Sequence, residues 1–257
     1  MRVTILGCGS SVGVPTLSSG WGECDPSNPK NRRRRTSLLV ETDGGNFLID
    51  TSPDLREQLL AAGSPEIDAI LLTHAHADHT HGLDDVRPLH WRRGTPIPLY
   101  ADAATLAAMF ERFRYMFHSV PESPPHFVPP LVAHEIAPGP LSLLGCEIEA
   151  YRQDHGSSGH SLGFVFDNRM AYSIDVAFFE AADLARFRGI ELWIVDCLRD
   201  GPSKAHANVE RCFSWIEAAK PQRAILSHMS AGLDYEALKQ RCPEATEPGY
   251  DGLTVTL

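Results

Sequence analysis

The chain contains no apolar run of about 18 residues, the length expected of a membrane-spanning helix. Its six cysteines (Cys8, Cys24, Cys146, Cys197, Cys212 and Cys242) show no C-x-x-C spacing. It also lacks a basic, apolar leader, since MRVTILGCGS reads as a first strand running into a turn. Reduced thiols and a cytoplasmic location are therefore expected. Positive charge is scarce: 33 acidic residues against 23 basic ones leave a formal charge of −10. That balance argues against an extended nucleic-acid surface or an anionic-membrane surface. The apolar share of 43% and charged share of 22% are ordinary for a globular chain. With no internal linker or repeat in 257 residues, one α/β domain is expected.

What the chain does have is concentrated. The apolar run at residues 67–72 has strand character, and Thr73-His74-Ala75-His76-Ala77-Asp78-His79 follows it directly. His74 and His76 alternate as strand-end residues do, so they point the same way and suit one ion. Asp78 and His79 follow the turn and suit a second. Imidazoles and a carboxylate in this density are the ligand types that Zn²⁺ and Mn²⁺ take.

The remaining pattern reads in order. Residues 3–6 form a strand ending in the Gly/Ser-rich turn 7–13, where the backbone is expected to approach something closely. A long loop rich in Gly, Ser and Pro follows. Arg32, Arg33, Arg34 and Arg35 are consecutive; such a run is ordinarily a solvated surface, but next to the strand at 37–40 alternate arginines face opposite sides. One or two could then grip a carboxylate or phosphate bidentately. Strands at 37–41 and 46–50 make a hairpin, and Pro53 opens a helix that Gly63 closes. A short helix at 82–86, a strand at 97–100 and a helix from Ala103 to about Phe117 come next, the last capped by Asp102. The prolines between 121 and 130 preclude a regular element and suggest a cleft wall or a subunit contact.

Strands at 141–144 and 146–152 lead to His155. A hairpin of 161–166 and 169–174 leads to Asp175. A helix at 180–188, a strand at 190–195, a helix at 208–219 and a strand at 224–226 lead to Ser227-His228. A helix at 235–240 and a strand at 253–257 complete the chain. Strands dominate both halves with helices between them, which predicts two packed sheets with helices outside. Four separate strand ends thus carry metal-binding side chains. Trp91 and Phe117 are expected in the core.

This ligand order, H-x-H-x-D-H followed by three later ligands, resembles the metallo-β-lactamase superfamily along essentially the whole chain. The resemblance implies an αββα four-layer sandwich of two mixed sheets with a two-metal site at one edge. It also implies that His74, His76 and His155 hold one ion, Asp78, His79 and His228 the other, and Asp175 both. Residues 7–15, the early Cys-Asp segment, Pro96-Ile97-Pro98-Leu99-Tyr100, and Asp196-Cys197 followed by His206 are similar to the branch that includes tRNase Z and the phosphoribosyl cyclic phosphate phosphodiesterases. That branch implies a phosphodiesterase using two Mn²⁺ or Zn²⁺ ions and a hydroxide between them to cleave a small, possibly cyclic, ribose-phosphate or nucleotide diester. Asp78 would orient the nucleophile and accept its proton, and His206 would act at the leaving oxygen. Ser227 and Arg35 are the expected substrate contacts, and His160 a supporting partner of the ligands. Relatives can hold a structural zinc with a cysteine cluster near the N-terminus; only Cys24 stands here, so no third metal is expected. A homodimer is compatible with the sequence. The alternatives are a glyoxalase-like thioesterase or other carbonyl hydrolase, and a non-catalytic metal-bearing binding protein of the same fold.

Overall fold

The computed structural model describes residues 1–119, 123 and 127–257. In chain order, strands β1 (Arg2–Gly7), β2 (Ser37–Thr42), β3 (Gly45–Ile49), β4 (Ala69–Leu71), β5 (Ile97–Ala101) and β6 (Leu131–Glu135) build the first sheet. Strands β7 (Gly139–Leu143), β8 (Cys146–Asp154), β9 (His160–Phe166), β10 (Met170–Ser173), β11 (Leu192–Asp196), β12 (Ala224–Ser227) and β13 (Thr246–Pro248) build the second. The last strand, β14 (Thr254–Thr256), returns to the first sheet beside β1.

Both sheets are mixed. The first runs β14-β1-β2-β3 antiparallel and β3-β4-β5-β6 parallel. The second runs β13-β12-β11-β10 parallel and β10-β9-β8-β7 antiparallel. The period-two alternation of buried strands explains how they stack. Leu38, Val40, Phe47, Ile49, Ala69 and Leu71 face the second sheet in one core, where Phe47 meets Phe166 edge-on with ring centroids 5.3 Å apart. Their neighbours Leu39, Leu48, Ile70 and Leu72 face the other way. They pack on α1 (Leu55–Ala61) and on α4 (Ala103–Arg112), which follows α2 (Ala77–Thr80) and α3 (Arg87–Arg93). After α5 (Arg114–Phe117), helix α6 (Val209–Ala219) covers the second sheet with Val209, Cys212, Trp215 and Ile216, and α7 (Tyr235–Lys239) follows. The result is the αββα sandwich. No helix among the described residues is long and apolar enough to cross a membrane.

Several elements differ from the sequence pattern for local reasons. The helix expected over 103–117 breaks at Phe113, whose φ of −128° and ψ of 36° leave the helical region. Its ring is buried beside His81, centroids 5.5 Å apart, so tertiary packing overrides the helical period. The expected helix at 180–188 is a tight 3₁₀ turn, Asp183–Phe187, that stacks Phe187 on Trp193 at 4.3 Å between centroids. The 82–86 segment is also 3₁₀ and runs into α3, which the sequence reading did not anticipate. Strands β6 and β13 were likewise unforeseen, being three to five residues long with half-exposed patterns. Asp167 and Asn168, with φ of 50° and 53°, make the two-residue turn expected between β9 and β10. Phe117 is buried as expected, but Trp91 is 65% exposed on α3, under the guanidinium of Arg87. Most of the proline-rich segment, including Pro121, Pro124, Pro125 and His126, lies outside the described residues.

Candidate metal centre

Strand β4 ends at Leu71, so His74 and His76 sit on an extended loop after it and not on the strand itself. His76 occupies the N-cap position of α2, and that single turn carries Asp78 and His79. The helical turn is what sends Asp78 and His79 back towards the cluster from a second direction. Leu162 of β9 donates its N–H to the Thr73 carbonyl at 2.8 Å, which ties this loop to the second sheet. Asp175 and His228 stand just beyond β10 and β12, and both adopt left-handed backbone, φ 57° and 60°. Asp50, just beyond β3, does the same at 62°. Non-glycine residues in this region are uncommon, and each costs about 1–3 kcal/mol that the surroundings must offset.

The side chains meet as two triads. His74, His76 and His155 each present a ligand atom within 4.8 Å of the others; so do Asp78, His79 and His228. Asp175 lies between them. One carboxylate oxygen is 2.6 Å from His79 Nε2 and 3.4 Å from His74 Nε2. The other is 3.5 Å from His228 Nε2 and 4.0 Å from His155 Nε2. All seven expected ligand residues thus come together at one edge of the sandwich.

At the centre, the buried Nε2 atoms of His74, His79 and His228 make no well-directed hydrogen bond, although His79 Nε2 lies 2.6 Å from Asp175 Oδ2. Protein interiors rarely tolerate such orphans, and here they converge. Divalent cations fit the donor set, because imidazole nitrogens and carboxylates are what they take and the atoms are aimed at shared points.

The electrostatics agree. Burial raises Asp175, but the imidazoles of His228, His79 and His74 outweigh it and hold the carboxyl well below its usual range. Burial lowers His79, yet Asp78, Asp175 and Asp50 together push it well above an ordinary imidazole. Burial and the neighbouring His79 keep His74 well below the ordinary value, and burial likewise lowers His155, so both stay neutral with a lone pair to offer. A carboxylate-rich, desolvated centre demands positive charge, as protons on histidine or as metal.

Two carboxylates escaped the sequence reading as site residues. Asp50 Oδ2 lies 2.7 Å from His79 Nδ1 and accepts from the Thr73 hydroxyl; its Oδ1 accepts the Thr73 N–H at 2.8 Å. This orients His79 so that Nε2 faces the cluster. Asp196 ends β11, with Oδ2 3.1 Å from His206 Nδ1 and accepting the Val176 N–H. Both are buried acids closing an apolar strand, the same signal that marked Asp175. His155 is held differently, through Nδ1 to the Ala205 carbonyl at 2.7 Å.

His206 Nδ1 also lies 3.1 Å from Asp175 Oδ1, and its ring stacks on His228. Burial lowers its pKa, but these two carboxylates outweigh that and bring it to about 10. The ring keeps 17% side-chain exposure.

Two expected substrate contacts are placed elsewhere. Ser227 is 1% exposed inside β12, opposite Asp196, so its side chain does not reach the opening. Arg35 is committed to Asp54: Nε donates to Oδ2 at 2.8 Å and Nη2 to Oδ1 at 2.6 Å. The carboxylate it grips is the protein's own, though Asp78 is near enough to raise its pKa further. His160 bonds Asp102 through Nε2 at 2.8 Å and supports the junction of the two sheets instead of a ligand.

Residues 45–229 match the family model described as the beta-lactamase superfamily domain. The chain belongs to that superfamily. The curated octanoyltransferase of Porphyromonas gingivalis (strain ATCC BAA-308 / W83) is 34% identical over 263 residues. That match covers 98% of this chain but 51% of the relative, so the chain spans about half its length. Among solved structures, a new diphosphatase from the PhnP family superposes with a TM-score of 0.89 at 34% identity, covering 99% of this chain and 97% of that one. The short form of human tRNase Z superposes at 0.71 over 100% of this chain and 99% of its own, with 17% identity, a likeness of fold alone.

Proposed function

We propose that this superfamily member is a dinuclear-metal-dependent hydrolase of small phosphoric esters or anhydrides. The observation that carries the reading is the pair of triads sharing Asp175, with His206 held against Asp175 and Asp196 at the edge of the same cluster. The similarity to a PhnP-family diphosphatase over nearly the full length of both chains supports phosphorus over carbonyl chemistry.

His74, His76 and His155 would hold one divalent ion, and Asp78, His79 and His228 the other. When bound, such ions neutralise a phosphoryl group and lower the pKa of water to near ~7. The chain's own groups then do the positioning. Asp78, with 11% side-chain exposure, orients the attacking water and accepts its proton. Asp50 and the Ala205 carbonyl fix the ring orientations of His79 and His155. His206, anchored through Nδ1, leaves Nε2 to serve the departing oxygen, a role worth about 10²–10⁴-fold for a general acid.

The test is a comparison of substrates on Mn²⁺- or Zn²⁺-loaded protein. An activated aryl phosphodiester or a nucleoside diphosphate derivative should turn over, while a thioester and a lactam survive. The reverse preference reassigns the protein to the glyoxalase-like alternative, and no turnover of any of them favours a binding protein. In His206→Ala the rate loss should shrink as the leaving group improves; a uniform loss removes the proposed role.

A further inference from the structure

The four consecutive arginines are not a solvated run. Arg33 turns inward and Arg35 locks onto Asp54, while Arg32 and Arg34 alternate to the other side. There, with Arg2, they line a cavity of about 370 Å³ against β1 and α1, whose wall also includes Gln58 and Asp251. None of the clustered histidines or their carboxylates lines it.

The three guanidiniums are differently occupied. Arg2 pairs with Glu41 at 3.1 Å, and Arg32 lies over the Trp21 ring, 5.1 Å from its centroid. Arg34 makes no side-chain hydrogen bond, ion pair or ring contact among the described residues; its backbone alone is used, the N–H donating to Asp251 Oδ2 at 2.7 Å and the carbonyl accepting from the Gly9 N–H at 2.8 Å. The guanidiniums of Arg114, Arg152 and Arg188 are also without partners, but those residues are exposed, whereas Arg34 is half-buried. The nearby carboxylates are already engaged. Asp251 takes the Arg34 and Cys8 amides, and Asp54 takes Arg35. The Arg34 charge acts on Asp251 and Asp54 without a direct bond to either, so its donors remain open to a ligand, and in a chain of net charge −10 a cavity lined by three arginines and one aspartate is a local reversal of sign.

We propose that this cavity is a second anion site, separate from the metal centre, that takes a phosphate monoester or a similarly compact dianion through Arg34 and Arg32. The planar fork of arginine matches phosphate oxygens bidentately, and the volume suits a small phosphorylated molecule.

Calorimetric titration of the metal-loaded full chain at low salt tests this with inorganic phosphate, pyrophosphate and ribose 5-phosphate. The expected result is a class of binding that Arg34→Ala weakens at least tenfold and Arg34→Lys weakens less. That class should persist in His76→Ala, whose metal centre is impaired, and should fade as salt is raised. Turnover of the aryl phosphodiester by Arg34→Ala should stay within twofold of the parent. Arg32→Ala, at an exposed position, gives the same reading if Arg34→Ala does not fold. Comparable affinity for all three probes identifies the phosphate group itself as the ligand, and a tenfold preference for ribose 5-phosphate points to a phosphorylated metabolite. Identical isotherms for the parent and the arginine variants overturn the proposal, as does loss of all phosphate binding in His76→Ala.

Discussion

Two buried polar regions of this chain are handled in opposite ways. At the strand ends, the buried Nε2 atoms of His74, His79 and His228 converge on the Asp175 carboxylate without well-directed hydrogen bonds. In the junction of residues 24–33 with 230–235, the polar groups other than Arg33 Nε meet partners within the protein. Arg33, 1% exposed, donates from Nη2 to the Leu233 carbonyl at 2.6 Å and from Nη1 to the Ser230 carbonyl at 3.0 Å, while Cys24 Sγ reaches the Leu233 carbonyl at 3.4 Å. Asn31 adds bonds to Asp234 and to the Tyr235 N–H. A guanidinium thus cross-links the loop that carries Cys24 to the segment after β12. Burial alone therefore says little about function; what distinguishes the strand-end cluster from this structural clasp is that several metal-ligand atoms converge on shared points.

Three changes would sharpen or break this contrast. The largest effect belongs to Asp175→Asn, which removes the charge between the triads. It should reduce metal affinity or turnover by more than the about 10–100-fold typical of outer partners of a metal site. Metal analysis after desalting, together with turnover, measures it. Full metal content with full activity would make the strand-end cluster an ordinary polar patch.

Next is Arg33→Met, which leaves the Ser230 and Leu233 carbonyls without their donors and should cost about 1–3 kcal/mol of stability while leaving metal content per folded molecule unchanged. A thermal melt at fixed metal concentration reads the first, and an unaltered midpoint would mean that the clasp is dispensable.

The smallest effect is one of pH. Burial pushes the Asp251 carboxyl up to about 6, from an ordinary value of 3.8, against the lowering pull of the Arg34 and Cys8 amides. A carboxyl raised on folding binds its proton more tightly in the folded chain, so its contribution is fully present below the unfolded pKa and is lost as pH rises through about 6. Urea midpoints of the parent should therefore fall between about pH 4 and pH 6, relative to Asp251→Asn, which lacks the titrating group. Parallel pH profiles for the two proteins would show that Asp251 does not titrate differently on folding.

The legibility of the centre was uneven, for identifiable reasons. His74 to His79 announce themselves because the ligands are dense and local. His155, Asp175 and His228 could be grouped with them only because each closes an apolar segment. Asp50 and Asp196 carry the same mark but contribute through orientation, by fixing rings 2.7 and 3.1 Å away, and nothing in their immediate sequence distinguishes that role. Ser227, expected as a substrate contact, is buried inside β12 opposite Asp196, and the pairing that buries it depends on a strand distant in sequence.

The sequence alone was sufficient for the two-sheet α/β architecture, the strand-end pattern and the donor types, since periodicity and side-chain chemistry are local properties of a chain. Tertiary structure decided which arginine of the run is buried, bonded or free, and which carboxylate meets which imidazole. It also decided that Trp91 faces outward and Phe113 breaks a helix. Those outcomes depend on distances between residues far apart in the chain, and packing sets them only when the sheets come together.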